Sequence, residues 1–288
     1  MAATQRAGAG TVSAPPRVGV VGHVEWIQFA VLPRVPAQGE IVHARAAFEV
    51  AAGGGAVAAA HLAALAGDAT FLTAVGDDEH GSRSCAELVA RGVTLHAAIR
   101  PEARTRRGLT YLDDDHERTI TLLDPRLVPR AADQLPWDVL AGLDAVYFTG
   151  GDAEALHAAR AARVLVATPR ALDVISASRV QLDVLVSSAS DPGEQVAAGA
   201  LDPAPRLIVH TRGADGGSWT AADGMTGTWA ASPLPGPPVD TYGCGDAFAA
   251  GLTYGLGAGL PVDEAAALGA TRGALCLTGR GPYEAIDR

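Results

Sequence analysis

Three observations predict an α/β fold with a mostly parallel sheet. Short apolar runs ending in glycine or polar residues recur along the chain, as buried parallel strands do: 18–21, 71–75, 145–148, 164–167, 184–186 and 207–211. Alanine-rich stretches of helical length separate several of them, which is the alternation that builds such sheets. With 288 residues, 48% of them hydrophobic, the chain can bury a large core as one domain.

Composition narrows the function. The net charge of −10, with no Lys/Arg-rich run, argues against nucleic acid as the main partner. Every one of the 22 basic residues is arginine, and asparagine is absent as well. That excludes a P-loop lysine, a Schiff-base lysine and a protein-kinase lysine. Three widely spaced cysteines, Cys85, Cys244 and Cys276, form no C-x-x-C pair and fit a reducing, cytoplasmic setting. Residues 1–16 read as a frayed tail without the apolar centre of a signal peptide, and no apolar run approaches the roughly 20 residues of a membrane span.

The ordered chain is expected from Arg17, with a first strand at 18–21 whose end carries Gly22, His23 and Glu25. From Gln28 to Val50, extended pieces are broken by Pro33, Pro36 and Gly39, and 40–44 alternates like a half-exposed strand. Gly53, Gly54 and Gly55 then make a turn into an alanine-rich helix ending at Gly67. A second extended set covers Thr94 to Leu123, where a hairpin turns at 113–116. Beyond it, strands at 145–148, 164–167 and 184–186 alternate with helices at 153–163 and up to Val180. A strand at 207–211, a hairpin at 218–220 and an amphipathic helix at 264–277 complete the order. Polar strand ends at Thr149–Asp152, Thr168–Arg170 and Ser187–Ser188 should converge on one crevice.

The chemistry concentrates in Asp240-Thr241-Tyr242-Gly243-Cys244-Gly245-Asp246, which follows a proline-rich turn and opens a helix of small residues. Three small positions, Gly243, Cys244 and Gly245, leave bare amides at a helix start, where the dipole favours an anion such as phosphate. Asp246 lies just inside that helix. A carboxylate there serves as a base toward an attacking hydroxyl, so the pair implies phosphoryl transfer to an alcohol.

Asp-Thr-x-Gly-x-Gly-Asp, followed by Ala250-Gly251-Leu252, resembles the C-terminal signature of the ribokinase-like (PfkB) family of carbohydrate and nucleoside kinases. The resemblance implies a three-layer α/β/α sandwich at 17–288 with a β-strand lid at about 28–49 and 94–123. It also implies ATP and Mg²⁺ as cofactors, a sugar-like substrate, and a homodimer paired through the lid. By the same resemblance, Asp246 with the amides of Gly243, Cys244 and Gly245 is catalytic. Thr211, Gly213 and Gly216 form the nucleotide loop, with Ser188, Asp240 and Thr241 beside it. Gly53 and Gly54 face the substrate, and Asp191 holds magnesium through water in a Ser188-Ala-Ser-Asp191 version of the family's N-x-x-E. Two polyol ligands are replaced: the usual Asp falls at Ile27, leaving Glu25 as the nearest carboxylate, and the usual Asn falls at Ala58. An Arg after D-x-N is kept as Arg170, although its Asp and Asn are Val166 and Thr168. Of the lid arginines Arg104, Arg106 and Arg107, any that point inward would suit an acidic or phosphorylated substrate, and Arg107 is the one expected to bind it; solvated arginines are the plainer outcome.

Two other readings follow from the residues. Gly53-x-Gly55-x-x-Ala58, with Asp77 or Asp78 about twenty residues on, fits a dinucleotide fingerprint and a Rossmann NAD-dependent oxidoreductase. The missing polyol ligands suit a silent, nucleotide-binding regulatory protein.

Overall fold

The computed structural model describes residues 14–114, 118–197 and 199–287. The tail expected at 1–16 and the hairpin turn at 113–116 therefore lie partly outside the described residues. Nine strands form the large sheet: β1 (Val18–Val21), β4 (Ala69–Gly76), β5 (Val93–Arg100), β8 (Ala145–Phe148), β9 (Val164–Ala167), β10 (Val184–Ser188), β11 (Leu207–Thr211), β12 (Gly217–Ala221) and β13 (Thr226–Trp229). Their order is β13-β12-β11-β10-β9-β8-β1-β4-β5. All neighbours from β11 to β5 run parallel, and only β12 and β13 turn back as an antiparallel edge.

Alternation along each central strand sends side chains to two cores. Val20, Phe71, Tyr147, Val166 and Val186 pack on one face with helices α1 (Gly54–Ala66), α5 (Cys244–Gly257) and α6 (Val262–Leu277), and α2 (Glu79–Ala90) adds Leu88 to that core. Val21, Leu72, Val146, Phe148, Leu165 and Leu185 pack on the other with α3 (Ala153–Ala159) and α4 (Leu172–Ser178). Helices α5 and α6 touch almost backbone to backbone, because a Cβ on Gly251 would lie 2.8 Å from the Gly269 Cα.

A second sheet of four strands, β2 (Glu25–Val31), β3 (Ala46–Ala52), β6 (Arg107–Leu112) and β7 (Arg118–Leu122), has the order β3-β2-β6-β7. It differs from the expected lid in two places. Val93–Arg100 is not part of it: the strand pairs with β4 along its whole length, from Ala69↔Val93 to Gly76↔Arg100. As an edge strand of the large sheet it is half-exposed, which gives it the alternation of a lid strand. Residues 40–44 alternate too, yet Ile41 is 88% exposed and the strand opposite β2 starts only at Ala46. β3 also removes the dinucleotide reading, since the strand feeding the Gly53–Ala58 turn lies in the small sheet while a βαβ fingerprint needs it in the parallel one. Asp78 is occupied as the N-cap of α2, accepting from the Gly81 amide at 2.8 Å. Among the described residues no helix is long and apolar enough to cross a membrane.

Candidate active site

Parallel pairing brings the C-terminal ends of β1, β8, β9, β10 and β11 to one rim of the sheet, the place where open α/β sheets bind ligands. The start of α5 enters this rim. Gly243, its N-cap, takes φ 81°, a left-handed conformation that glycine adopts without strain, and so turns the chain into the helix. Asp240 fixes the approach: its buried carboxylate accepts from the Tyr242 amide at 2.7 Å and the Gly281 amide at 2.8 Å. The Tyr242 hydroxyl in turn accepts from the Gly53 amide at 3.3 Å, which ties the α5 start to the α1 start.

In the first turn of α5, a Cβ on Gly245 would meet nothing within 4 Å, so open space lies before the helix. The Gly243 and Gly245 amides find no acceptor among the described residues, while the Cys244 amide reaches the Thr241 carbonyl at a long 3.5 Å. A helix start with free donors and open space in front of it has the geometry to receive an anion. The Asp246 side chain folds back over α1, and a Cβ on Gly54 would lie 2.8 Å from its Oδ1. The residue is only partly buried, so its carboxyl borders the cleft. Burial, then the negative charge of Glu194, push it up to about 7 against the pull of Arg118 and Arg170. Arg118 arrives from lid strand β7, donating from Nη1 to the Thr241 carbonyl at 2.9 Å.

Next to Gly54, Gly53 borders a second charged corner. A Cβ there would lie 2.9 Å from Glu25 Cγ and 3.2 Å from His23 Cδ2. Glu25 is 7% exposed, so it is no surface residue, and Arg106 Nη1 holds its Oε1 at 3.1 Å. Burial raises its carboxyl against the pull of Arg106 and Arg126, and burial drives His23 well below its usual range, helped by Arg126, Arg106 and Arg170. Of the lid arginines, Arg106 is thus the one turned inward. Arg107, the expected substrate ligand, instead pairs with Asp124, Nε to Oδ2 at 2.8 Å, and Arg104 is exposed.

Beyond β10, a short 3-10 turn at Pro192–Glu194 brings Glu194 back over the strand end, where its Oε2 accepts from the Ser188 amide at 2.8 Å. Arg170 bonds both Asp191 Oδ2 and Glu194 Oε1, and Asp191 Oδ1 caps Gly193 at 2.8 Å. Asp191, the expected magnesium residue, is therefore engaged on both oxygens, and Glu194 is the acid whose charge reaches Asp246. No group of three His, Cys, Asp or Glu that could hold a metal occurs among the described residues. Such a donor set fits Mg²⁺ only as an ion carried mainly by ligand phosphates and held through water. Thr211 closes β11, and its hydroxyl donates to the Ser187 carbonyl at 3.4 Å. Gly216, at φ 73°, turns beneath the Trp229 carbonyl, where a Cβ would be 2.1 Å away, while Gly213 faces open space.

The rim therefore gathers Asp246, Gly243–Gly245, Gly53, Gly54 and Glu25, and sets Ser188, Asp191 and Thr211 on its neighbouring strand ends. Asp240 is a buried clasp with no reach into the cleft. Sequence reasoning missed Glu194, Arg118 and Arg126. Glu194 could have been found six residues after Ser188, as a second acid in the same turn; Arg126, in an irregular segment, carries no pattern.

Three comparisons place this geometry among known proteins. Residues 16–288 match the profile described as pfkB family carbohydrate kinase. The fructokinase of Salmonella typhimurium is 30% identical over 276 residues, covering 81% of this chain and 88% of that one. The ATP-dependent ribose-1-phosphate kinase of Halopiger xanaduensis is 28% identical over 255 residues, covering 82% and 83%. The structure of Arabidopsis thaliana ribokinase complexed with ribose and ATP superposes with a TM-score of 0.72 over 93% of this chain and 94% of that one, at 18% identity.

Proposed function

The chain belongs to the pfkB family of carbohydrate kinases, and from that premise we propose that it transfers the γ-phosphoryl group of ATP to a hydroxyl of a small sugar-like substrate. The observation that carries this reading is the juxtaposition, in one turn of α5, of open amides and a partly buried carboxyl pushed up to about 7. A base with a pKa near neutrality takes a hydroxyl proton and still exists in its ionised form at working pH. Asp246, beside Gly54, accepts that proton. The amides of Gly245, Gly243 and Cys244 stabilise the charge that builds on the moving phosphoryl group. With no lysine in the chain, further positive charge comes from the α5 dipole and from Arg118.

Thr211, Gly213, Gly216 and Ser188 line the nucleotide side of the rim, and Thr241 sits where Arg118 closes over the phosphates. Glu194 and Asp191 are the oxygen donors placed to hold, through water, the Mg²⁺ that accompanies the nucleotide. When bound, that ion neutralises phosphate charge. The lid sheet over Gly53 excludes water, which would otherwise compete with the sugar hydroxyl. Incubation with Mg-ATP and a panel of sugars, sugar acids, sugar phosphates and nucleosides tests the reading by acceptor-dependent ADP release. Absence of such release across the panel would return the chain to a nucleotide-binding, catalytically silent role.

A further inference from the structure

The corner around Glu25 holds more positive charge than proton transfer at Asp246 uses. Arg106 is paired with Glu25 at 3.1 Å, and His23 Nε2 lies 3.5 Å from the same oxygen. Arg126 comes in beside them: its Nη1 donates to the Arg170 carbonyl at 3.4 Å, and no carboxylate lies within 4 Å of it among the described residues. Arg170 cannot neutralise it, being a cation itself and already held by Asp191 and Glu194. Glu25, already paired with Arg106, reaches Arg126 only through its charge.

Three polar atoms in this corner, Arg106 Nε, Arg126 Nε and His23 Nδ1, are buried without a hydrogen-bond partner. His23 is only 6% exposed. Buried polar atoms are almost always satisfied, and Arg126 is a half-buried guanidinium whose Nε is buried and whose charge no carboxylate pairs, so a cluster of this kind suits an anion. Burial, then the charge of Arg106, lower the Arg126 guanidinium's affinity for its proton.

Position then decides which anion. Gly53 abuts Glu25 and His23, and the adjacent Gly54 abuts Asp246. Since consecutive Cα atoms are 3.8 Å apart, the two carboxylates are at most roughly 13 Å apart, within reach of the two ends of one small molecule. A sugar hydroxyl presented to Asp246 leaves the rest of the same molecule pointing at the arginines. On the kinase reading above, the nucleotide side lies elsewhere, along the neighbouring strands β10 and β11.

We propose that Arg106 and Arg126, with His23, bind an anionic group on the acceptor, so that this enzyme phosphorylates a sugar phosphate or a sugar acid in preference to a neutral sugar. This rests on the kinase reading above, because it is the acceptor whose second end the corner binds. Arginine suits both anions through bidentate hydrogen bonds, so the chemistry recognised is a phosphate or carboxylate.

The test measures kcat and KM at saturating Mg-ATP for three matched sets: D-ribose, D-fructose and D-glucose; D-ribose 5-phosphate and D-fructose 6-phosphate; D-ribonate and D-gluconate. Calorimetric titration of the same compounds without nucleotide runs alongside. Wild-type protein should favour one anionic set over its neutral counterparts by roughly 100-fold in kcat/KM, and which set wins separates phosphate from carboxylate. Arg126→Met should cut that preference roughly 10- to 100-fold through the acceptor KM, leaving the KM for ATP unchanged. This variant strands no carboxylate, so it should fold with an unchanged or higher melting temperature. Neutral sugars turned over as well as anionic ones would overturn this proposal and leave the kinase reading intact. A rise in the KM for ATP instead would also overturn it, by assigning Arg126 to the nucleotide. Arg126-dependent calorimetric binding of an anionic compound without ADP release would support the anion site while removing turnover. Neither binding nor turnover would sink both.

Discussion

Replacing Asp246 by Asn should make this protein more stable and nearly inactive, and the two effects come from one feature. The carboxyl is pushed up to about 7 from an ordinary value near 3.8, chiefly by burial. Its proton is therefore bound more tightly in the folded chain than in the unfolded one. Below about pH 4 both states carry the proton and the group makes no pH-dependent contribution. Between roughly pH 4 and 7 the unfolded chain releases it first, so stability is lost as pH rises, and above 7 the loss is complete. Holding the proton up to about 7 corresponds to roughly 4 kcal/mol; since part of the residue opens to the cleft, water returns some of this, and about 2–4 kcal/mol is expected. Asparagine cannot ionise. Urea unfolding of wild type and Asp246→Asn at pH 5 and pH 8 should therefore show the variant's advantage growing with pH by most of that amount. ADP release should fall by roughly 10²- to 10⁴-fold, the range for loss of a general base, with ATP binding retained. Equal pH dependence of stability in the two proteins would refute the claim that folding holds this carboxyl's proton up to near neutrality. Near-normal turnover would remove it from the chemistry.

Three further outcomes follow from the same geometry. Gly54→Ala places a methyl group 2.8 Å from Asp246 Oδ1, so the carboxyl must swing aside; kcat should drop roughly 100-fold while ATP affinity, read by calorimetry, stays within a few-fold. Glu194→Gln keeps an acceptor for the Ser188 amide but removes the charge that raises Asp246, so the acid limb of the kcat/KM profile should move to lower pH; an unmoved limb would disconnect the two residues. Arg118→Ala removes a cation that favours the ionised Asp246, so the same limb should move to higher pH, with a lower rate and an unchanged melting temperature because the residue is exposed.

What could be read from the sequence was whatever depends on neighbours along the chain. The α1 stop at Gly67, the α5 start at Gly243 and the buried strands at 145–148, 164–167 and 207–211 all rest on local periodicity and on the conformations glycine permits. Parity and pairing escaped it. Arg106 and Arg107 are adjacent, and only the register Trp26↔Arg107 decides that Arg106 faces Glu25 while Arg107 turns to Asp124. One residue of slip would exchange their roles. Likewise 40–44 alternates as a half-exposed strand does, yet pairing with β2 selects 46–52.

The site shows the same division at higher stakes. Local sequence places Asp246 after the glycines, but nothing local puts Gly54 against its Oδ1 or sends Glu194 back over Ser188. Those long-range approaches are what raise the carboxyl, so the motif supplies a candidate base and the fold supplies its basicity. Arg126 extends the point. Within its own segment it is an unremarkable arginine after a proline, and it acquires meaning only because Arg106 and the buried Glu25 lie close enough in the fold for their charges to act on it. Charge balance in the folded cluster, which no linear pattern encodes, is therefore the property on which the proposal of an anionic acceptor rests.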